Sequence, residues 1–348
     1  MNSSKSGSES GSPSTIGPLV FEPILKEKVW GATRLAKYGK RLDAGKLYGE
    51  SWEIADLATT STSGGGGGAA LSVVADGPHA GKTINELVRT LGRDLLGDAR
   101  PFENASGPAF PLLIKYLDAG QHLSVQVHPS PAYAAAHPDA HLKTESWVVL
   151  EAEPATLPSG ETIDPVIYAG INPGVDAPTF AQAARDGTVE RLLMKHPARV
   201  GDCWTLPSGT CHALGAGVLV AEVQTPSDTT FRVYDWAAEY ERSGRELHLE
   251  QAVECIDFER AEPIEPRSGE GVVAETEFYA IETIGLERGE ERALRADTMS
   301  VLMCTSGGGA VLGRGFAKGE TVMIAAREAA GVSLRADEPS TLIAVTPG

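Results

Sequence analysis

The run GDCWTLPSGTCHALG (Gly201–Gly215) leaves the chain few ways to fold. Its spacing is Gly201-x5-Pro207-x-Gly209-x2-His212, which makes a tight hairpin: proline presets one backbone angle, and glycine accepts turn conformations that a Cβ resists. A histidine follows directly on that turn. Earlier in the chain, LSVQVHP (Leu123–Pro129) alternates without a break. Leu123, Val125 and Val127 fall on one face of a strand, and Ser124, Gln126 and His128 on the other. An ordinary half-buried strand shows water a Thr, Lys, Glu or Arg. A hydroxyl, an amide and an imidazole in a row suit either a chance surface or the wall of a cavity.

Elsewhere the pattern is also strand-rich. PLVFEPILKEKVWG reads as extended chain, and short strands with Gly-heavy turns fill the second half. Helical spacing is confined to four places: TINELVRTLGRDLLG, with Thr83 as N-cap and Glu86 three residues on; Ser130–His137; Thr179–Lys195 as two pieces broken at Gly187; and Leu247–Ile256. Many short strands with few helices predict a mainly β protein built on an antiparallel double-sheet barrel, the jelly roll. The 348 residues suffice for one large domain or two. The expected division is a Ser/Gly-rich tail over 1–17, a metal-binding barrel with helical insertions over 18–260, and a β-rich segment over 261–348. The glycine run Gly64–Gly68 reads as a surface loop, since no strand-to-helix context or GK[ST] follows it.

A net charge of −17 argues against nucleic acid and anionic membrane as partners, because both need a basic field. No apolar run spans a bilayer, and the N-terminal stretch lacks the apolar core of an export signal. Cys203, Cys211, Cys255 and Cys304 are widely spaced and form no CxxC pair, which fits a reduced, cytoplasmic protein.

In KTESWVVL, Glu145 shares a strand face with Trp147 and Val149, where a carboxylate is costly unless something pairs with it. Gln126, His128, Glu145 and His212 make a nitrogen/oxygen donor set with one carboxylate. Such a set suits one divalent ion, zinc first, with iron, manganese or cobalt as other options. A lone strand histidine is ordinarily structural, so the weight rests on the hairpin that delivers His212.

That hairpin is the second signature of the cupin jelly roll. Together with LKEKVWG, YGESWEIAD, PLLIKYLDAGQHLSVQVHP, KTESW, EVQTPSDTTFRVYDW and RELHLEQAVECI, it resembles type I mannose-6-phosphate isomerase in its short bacterial form, in order from about Pro18 to Asp257. The resemblance implies Gln126, His128, Glu145 and His212 as zinc ligands and Arg232 as a catalytic-site arginine. The implied reaction interconverts mannose 6-phosphate and fructose 6-phosphate through an enediol-type intermediate. Thr225 and Pro226 depart from the Gln-Ser usual in the short forms. The C-terminal segment, with Gly319-x5-Ala325, resembles a cupin hairpin lacking its histidine and is read as a second, metal-free barrel.

Two residues are candidates for the base. Lys143 shares the inner face with Glu145 and, shielded beside a dication, would accept a proton near neutrality; Glu222 is a carboxylate flanked by apolar residues. Ser124 and Lys115 are the candidate phosphate donors. His79, His122, His137, His141, His196 and His248 read as surface or structural, with His141 singled out because it lies four residues from Glu145. The expected partner is a small hexose phosphate, and a monomer is the simplest assembly. Two other readings compete: a cupin metal-dependent oxygenase, which would want mostly histidine ligands and an apolar pocket, and a catalytically silent sugar-phosphate-binding relative.

Overall fold

In a computed structural model, the described residues are 15–60, 67–104, 107–137, 140–260 and 262–348. Most of the Ser/Gly-rich tail, Gly64–Gly66 of the glycine run and the boundary residue Ala261 lie outside them.

Two antiparallel sheets close on each other around the site. The larger runs Cys203–Leu206, Glu145–Ala152, Val218–Gln224, Leu113–Asp118, Tyr48–Ile54, Ile24–Ala32 from edge to edge. Facing it is a five-stranded sheet in the order Leu193–Pro197, Val166–Ile171, His212–Leu214, Val125–Val127, Phe231–Tyr234. Leu117, Trp147, Val220, Ile167 and Leu214, drawn from both sheets, share one hydrophobic cluster between them. The expected jelly-roll barrel with helical insertions is present.

The outer face of the five-stranded sheet lies under helices. Tyr133, Phe180 and Ala252, from helices Pro131–Ala136, Ala177–Arg185 and Leu249–Cys255, pack with Val125, Val127 and Tyr168. This accounts for the polar stripe of LSVQVHP: its valines are taken up by the helical layer, so Ser124, Gln126 and His128 look into the barrel. The Thr83–Glu86 capping box forms, with each side chain bonded to the other's backbone N–H, and starts the helix Ile84–Leu91.

One helical expectation needs correction. Past Gly187 only a short 3-10 turn, Val189–Leu192, survives, and Leu193–Pro197 is a strand, so Lys195 is not helical. Pairing with Val166–Ile171 and the burial of Leu193 override the local helical spacing.

The C-terminal residues build a second barrel. One sheet runs Leu19–Val20, Thr321–Ile324, Ser300–Ser306, Ser340–Pro347, Tyr279–Leu286, Gly271–Glu275, and the other Glu291–Ala293, Ser333–Ala336, Gly308–Val311, Arg314–Ala317. Leu302, Val311, Phe316, Val322, Leu334 and Leu342 fill the space between them. The strand Leu19–Val20 enters this sheet from the far end of the sequence, pairing with Val322 and Met323.

The two six-stranded sheets pack back to back. Ile54, Ile114 and Tyr116 from the first share a cluster with Tyr279, Val301 and Met323 from the second. Strand Val218–Gln224 is therefore buried on both faces, which is why VLVAEVQ reads as nearly continuous apolar sequence. A polar network reaches across this seam. Glu53 accepts from Lys40 Nζ (2.7 Å), Thr321 Oγ1 (3.0 Å) and Ser51 Oγ (2.6 Å), and Lys40 also donates to the Gly319 carbonyl.

Candidate metal centre

Three ligand-type side chains meet inside the first barrel. A ring nitrogen of His128, one of His212 and a carboxylate oxygen of Glu145 all lie within 4.8 Å of one another, and all three residues are buried. The hairpin after Pro207 delivers His212, whose strand pairs with Val125–Val127 so that His212 stands opposite Gln126. The Gly209 N–H donates to the His128 carbonyl, tying the hairpin to the neighbouring strand. Glu145 comes from the facing sheet and closes the set.

Hydrogen bonding fixes what these groups present. His128 Nδ1 is 2.9 Å from the Thr229 carbonyl and His212 Nδ1 is 2.8 Å from the Thr210 carbonyl. A carbonyl only accepts, so each Nδ1 carries a proton, and a neutral ring so held presents its Nε2 as a lone pair. Those lone pairs point at Glu145: His212 Nε2 is 3.0 Å from Oε1 and His128 Nε2 is 3.4 Å from Oε2. Acceptor faces acceptor, and His128 Nε2 and both Glu145 oxygens are buried without a hydrogen bond of good geometry. Burial first, then the Lys143 charge, hold His128 neutral, its pKa pushed down to about 3. Burial alone would raise Glu145, but the Lys143 charge outweighs it and keeps the carboxyl well below the usual range.

Converging lone pairs of this kind require a cation. Lys143 Nζ, 2.7 Å from Glu145 Oε2, answers part of the demand. Neutral imidazoles held from behind by carbonyls, with one carboxylate, form the donor chemistry of a zinc-type site, so the residues fit such an ion. Gln126 Nε2 lies 3.3 Å from His212 Nε2, and half a turn of the amide would present Oε1 there instead. Ser124 Oγ donates to Gln126 Oε1 at 3.2 Å.

Beside this cluster a cavity is lined by Gln126, Lys143, Glu222, Lys115, Ser124 and Arg232 among others. The four candidate ligands, Arg232, the two candidate bases and the two candidate phosphate donors thus lie in or beside one space. Glu222 accepts from Trp147 Nε1 (3.0 Å) and faces Lys115 Nζ (3.0 Å). Burial pushes the Glu222 carboxyl up, and Lys115 only partly offsets this. Lys115 is not a solvated strand residue: it is buried and also donates to Gln224. Arg232 stands opposite Gln126 on the edge strand and is buried, with Nη1 bonded to the Glu246 carbonyl. His141 turns away; its ring is exposed and edge-on to Phe102.

The cavity also contains residues that the sequence pattern does not single out. Glu50 and Trp52 line it, alternating along their strand with Ser51 and Glu53, which serve the seam behind. Burial would raise Glu50, but Lys28 at 3.0 Å and Lys115 at 3.9 Å bring it down to about 2. Alternation in GESWE could have flagged them, had the strand's second face been known to be buried. Arg245, in the loop after the edge strand, also lines the cavity and carries no periodic signal.

Comparison with known proteins places the chain among characterised relatives. Residues 19–147 match the family model of the phosphomannose isomerase type I catalytic domain. The chain is 37% identical over 245 residues to mannose-6-phosphate isomerase ManA of Bacillus subtilis (strain 168), covering 70% of this chain and 69% of that protein. A crystal structure of the mannose 6-phosphate isomerase from Bacillus subtilis superposes with a TM-score of 0.74 at 26% identity, over 94% of this chain and 99% of that one. A zinc-bound mannose 6-phosphate isomerase shares the fold, with a TM-score of 0.66 at 16% identity over 95% of this chain and 99% of that one.

Proposed function

Because the chain belongs to the type I phosphomannose isomerase family, we propose that it is a zinc-dependent isomerase interconverting mannose 6-phosphate and fructose 6-phosphate. The observation that carries this reading is the convergence of His128, His212 and Glu145 lone pairs beside a cavity furnished with cations and one proton-hungry carboxylate.

In this reading His128, His212, Glu145 and Gln126 hold one zinc ion, which when bound polarises the sugar's carbonyl and hydroxyl oxygens as a Lewis acid. Glu222 takes the C2 proton of the open-chain aldose while O1 gains a proton, giving the enediol. Return of the carried proton to C1, with loss of the O2 proton, gives the ketose. Glu222 suits this role because its burial raises its affinity for a proton towards the working pH. Lys143 is less suited, since its ammonium is committed to Glu145 at 2.7 Å; in this reading it steadies the ligand. Arg232 stabilises negative charge on the sugar oxygens, and Trp52 with Trp147 walls the cavity. The oxygenase alternative fits poorly, for it would want an apolar pocket, and this one holds Lys28, Lys115, Lys143, Arg232 and Arg245.

The test is a coupled assay on mannose 6-phosphate alongside elemental analysis. About one zinc per chain, with turnover abolished by chelator and restored by zinc, is expected. Sugar-phosphate binding without turnover would leave the silent relative as the correct reading.

A further inference from the structure

A second cavity opens on the helical side of the five-stranded sheet. It holds about 430 Å³ and shares no lining residue with the cavity beside the metal centre. Its floor is aromatic. Tyr168, Trp236 and Tyr240 are buried and belong to the cluster that packs under the helices. The His122 imidazole lies among them, its ring centre 4.6 Å from Trp236, 5.9 Å from Tyr240 and 6.1 Å from Tyr168.

This floor is set in place before any ligand arrives. Trp236 sits at φ +54°, a backbone conformation that costs free energy in a residue with a Cβ and persists only where its surroundings impose it. Its indole N–H donates to the Leu123 carbonyl at 2.8 Å. Tyr240 Oη accepts the His122 backbone N–H at 3.0 Å and meets His122 Nδ1 at 2.5 Å. Burial holds His122 neutral, its pKa pushed down to about 4. His122 is only 6% exposed and lines the cavity, yet its Nε2 has no hydrogen-bond partner among the described residues.

Acidic side chains dominate the walls: Glu161, Asp164, Glu190 and Glu239 stand against one lysine, Lys195. Lys195 Nζ lies 3.1 Å from Glu190 and 5.4 Å from the centre of the Tyr168 ring, so Glu190 is already answered. Among the described residues, no Lys or Arg stands at ion-pair distance from the other three. Glu161 and Asp164 are exposed and their charge is met by water. Glu239 is partly buried; its Oε1 accepts from Tyr234 Oη at 2.6 Å, and its Oε2 is buried without a partner. A carboxylate in that position favours a positively charged donor.

The same chemistry sorts the ligand classes. An anion would meet unpaired carboxylates and a lysine already engaged. A bare divalent ion needs converging ligands, and among the described residues the group of His, Cys, Asp and Glu that converges is His128, Glu145 and His212. An organic cation gains twice, since ring faces attract positive charge and an apolar body covers aromatic surface. Lys195, over Tyr168 and beside Glu190, makes this contact with the chain's own ammonium. We propose that the cavity binds a small organic cation, a primary ammonium on an apolar ring, with the ammonium at Glu239 and the ring against Trp236 and Tyr240. With Nδ1–H given to Tyr240, His122 Nε2 serves the ammonium as a second acceptor. Such a site goes beyond the isomerase reading and stands without it.

The experiment is titration calorimetry of cyclohexylammonium chloride into the full chain, supplied with zinc and held at constant ionic strength, for the wild type, E239Q and K195M. Cyclohexanol is the uncharged control. One saturable site per chain is expected, with Kd about 1 mM or tighter and cyclohexanol at least about fivefold weaker. E239Q keeps the shape of the side chain and its acceptor for Tyr234 but loses the charge, so binding should weaken about 5- to 30-fold. K195M frees Glu190 and the Tyr168 face, so binding should tighten about two- to fivefold. Neither side chain lines the metal-side cavity, so zinc content and turnover should match the wild type, and thermal melts check that both variants fold. Absence of saturable binding, unchanged affinity in E239Q, weaker binding in K195M, or cyclohexanol binding as tightly as the ammonium would overturn the proposal.

Discussion

A neutral histidine that donates its Nδ1 proton to a backbone carbonyl has only a lone pair to offer on its other side, and two histidines held by carbonyls in this way face Glu145 here. No arrangement of protein donors answers that geometry fully, so the chemistry of the site is written in tautomers as much as in residue types. The same scale decides the base. E222Q is expected to lower kcat by about 10² to 10⁴-fold with zinc content unchanged. Because burial raises the Glu222 carboxyl and the base works deprotonated, the wild-type rate should rise with pH through a limb lying above the ordinary glutamate range. The variant should lack that limb, and a pH profile of kcat that keeps it would shift the role to another group. His128, His212, Gln126 and Glu145 are legible in the sequence because alternation and a turn motif put them on inner faces. Glu50 and Arg245 are not: one depends on knowing that a strand is covered on both sides, and the other sits in a loop without period.

Among the elements, the hairpin before His212 is the most exacting. Gly209 has φ +82°, and a Cβ there would come within 3.0 Å of the Cys255 carbonyl, at the end of the helix Leu249–Cys255. G209A is therefore expected to cost about 1–3 kcal/mol, seen as a fall of several degrees in melting temperature, and to loosen zinc because His212 moves with the turn. A variant with wild-type melting and wild-type zinc affinity would show that the turn is not what holds the ligand. The hairpin and the capping box of Ile84–Leu91 can be read from sequence, since each is set by a few neighbouring residues. Leu193–Pro197 has helical spacing and yet is a strand for the opposite reason: its fate is decided by a partner strand about 25 residues earlier.

For the molecule as a whole, the seam between the barrels is the feature local sequence could least reveal. It explains why the central strands of the larger sheet have no solvated face, and it places Lys40 and Glu53 in an apolar setting where each needs the other. E53A should therefore cost about 3–5 kcal/mol, read as a lower denaturant midpoint at pH 7, because it strands a buried ammonium. A loss under about 1 kcal/mol would mean that water reaches Lys40. A consequence of the same seam concerns how the protein comes into being. The strand Leu19–Val20 finds its partners roughly three hundred residues later at Val322 and Met323. Leu19–Val20 must wait unpaired until Val322 and Met323 have been made, so this strand joins its sheet long after its own synthesis.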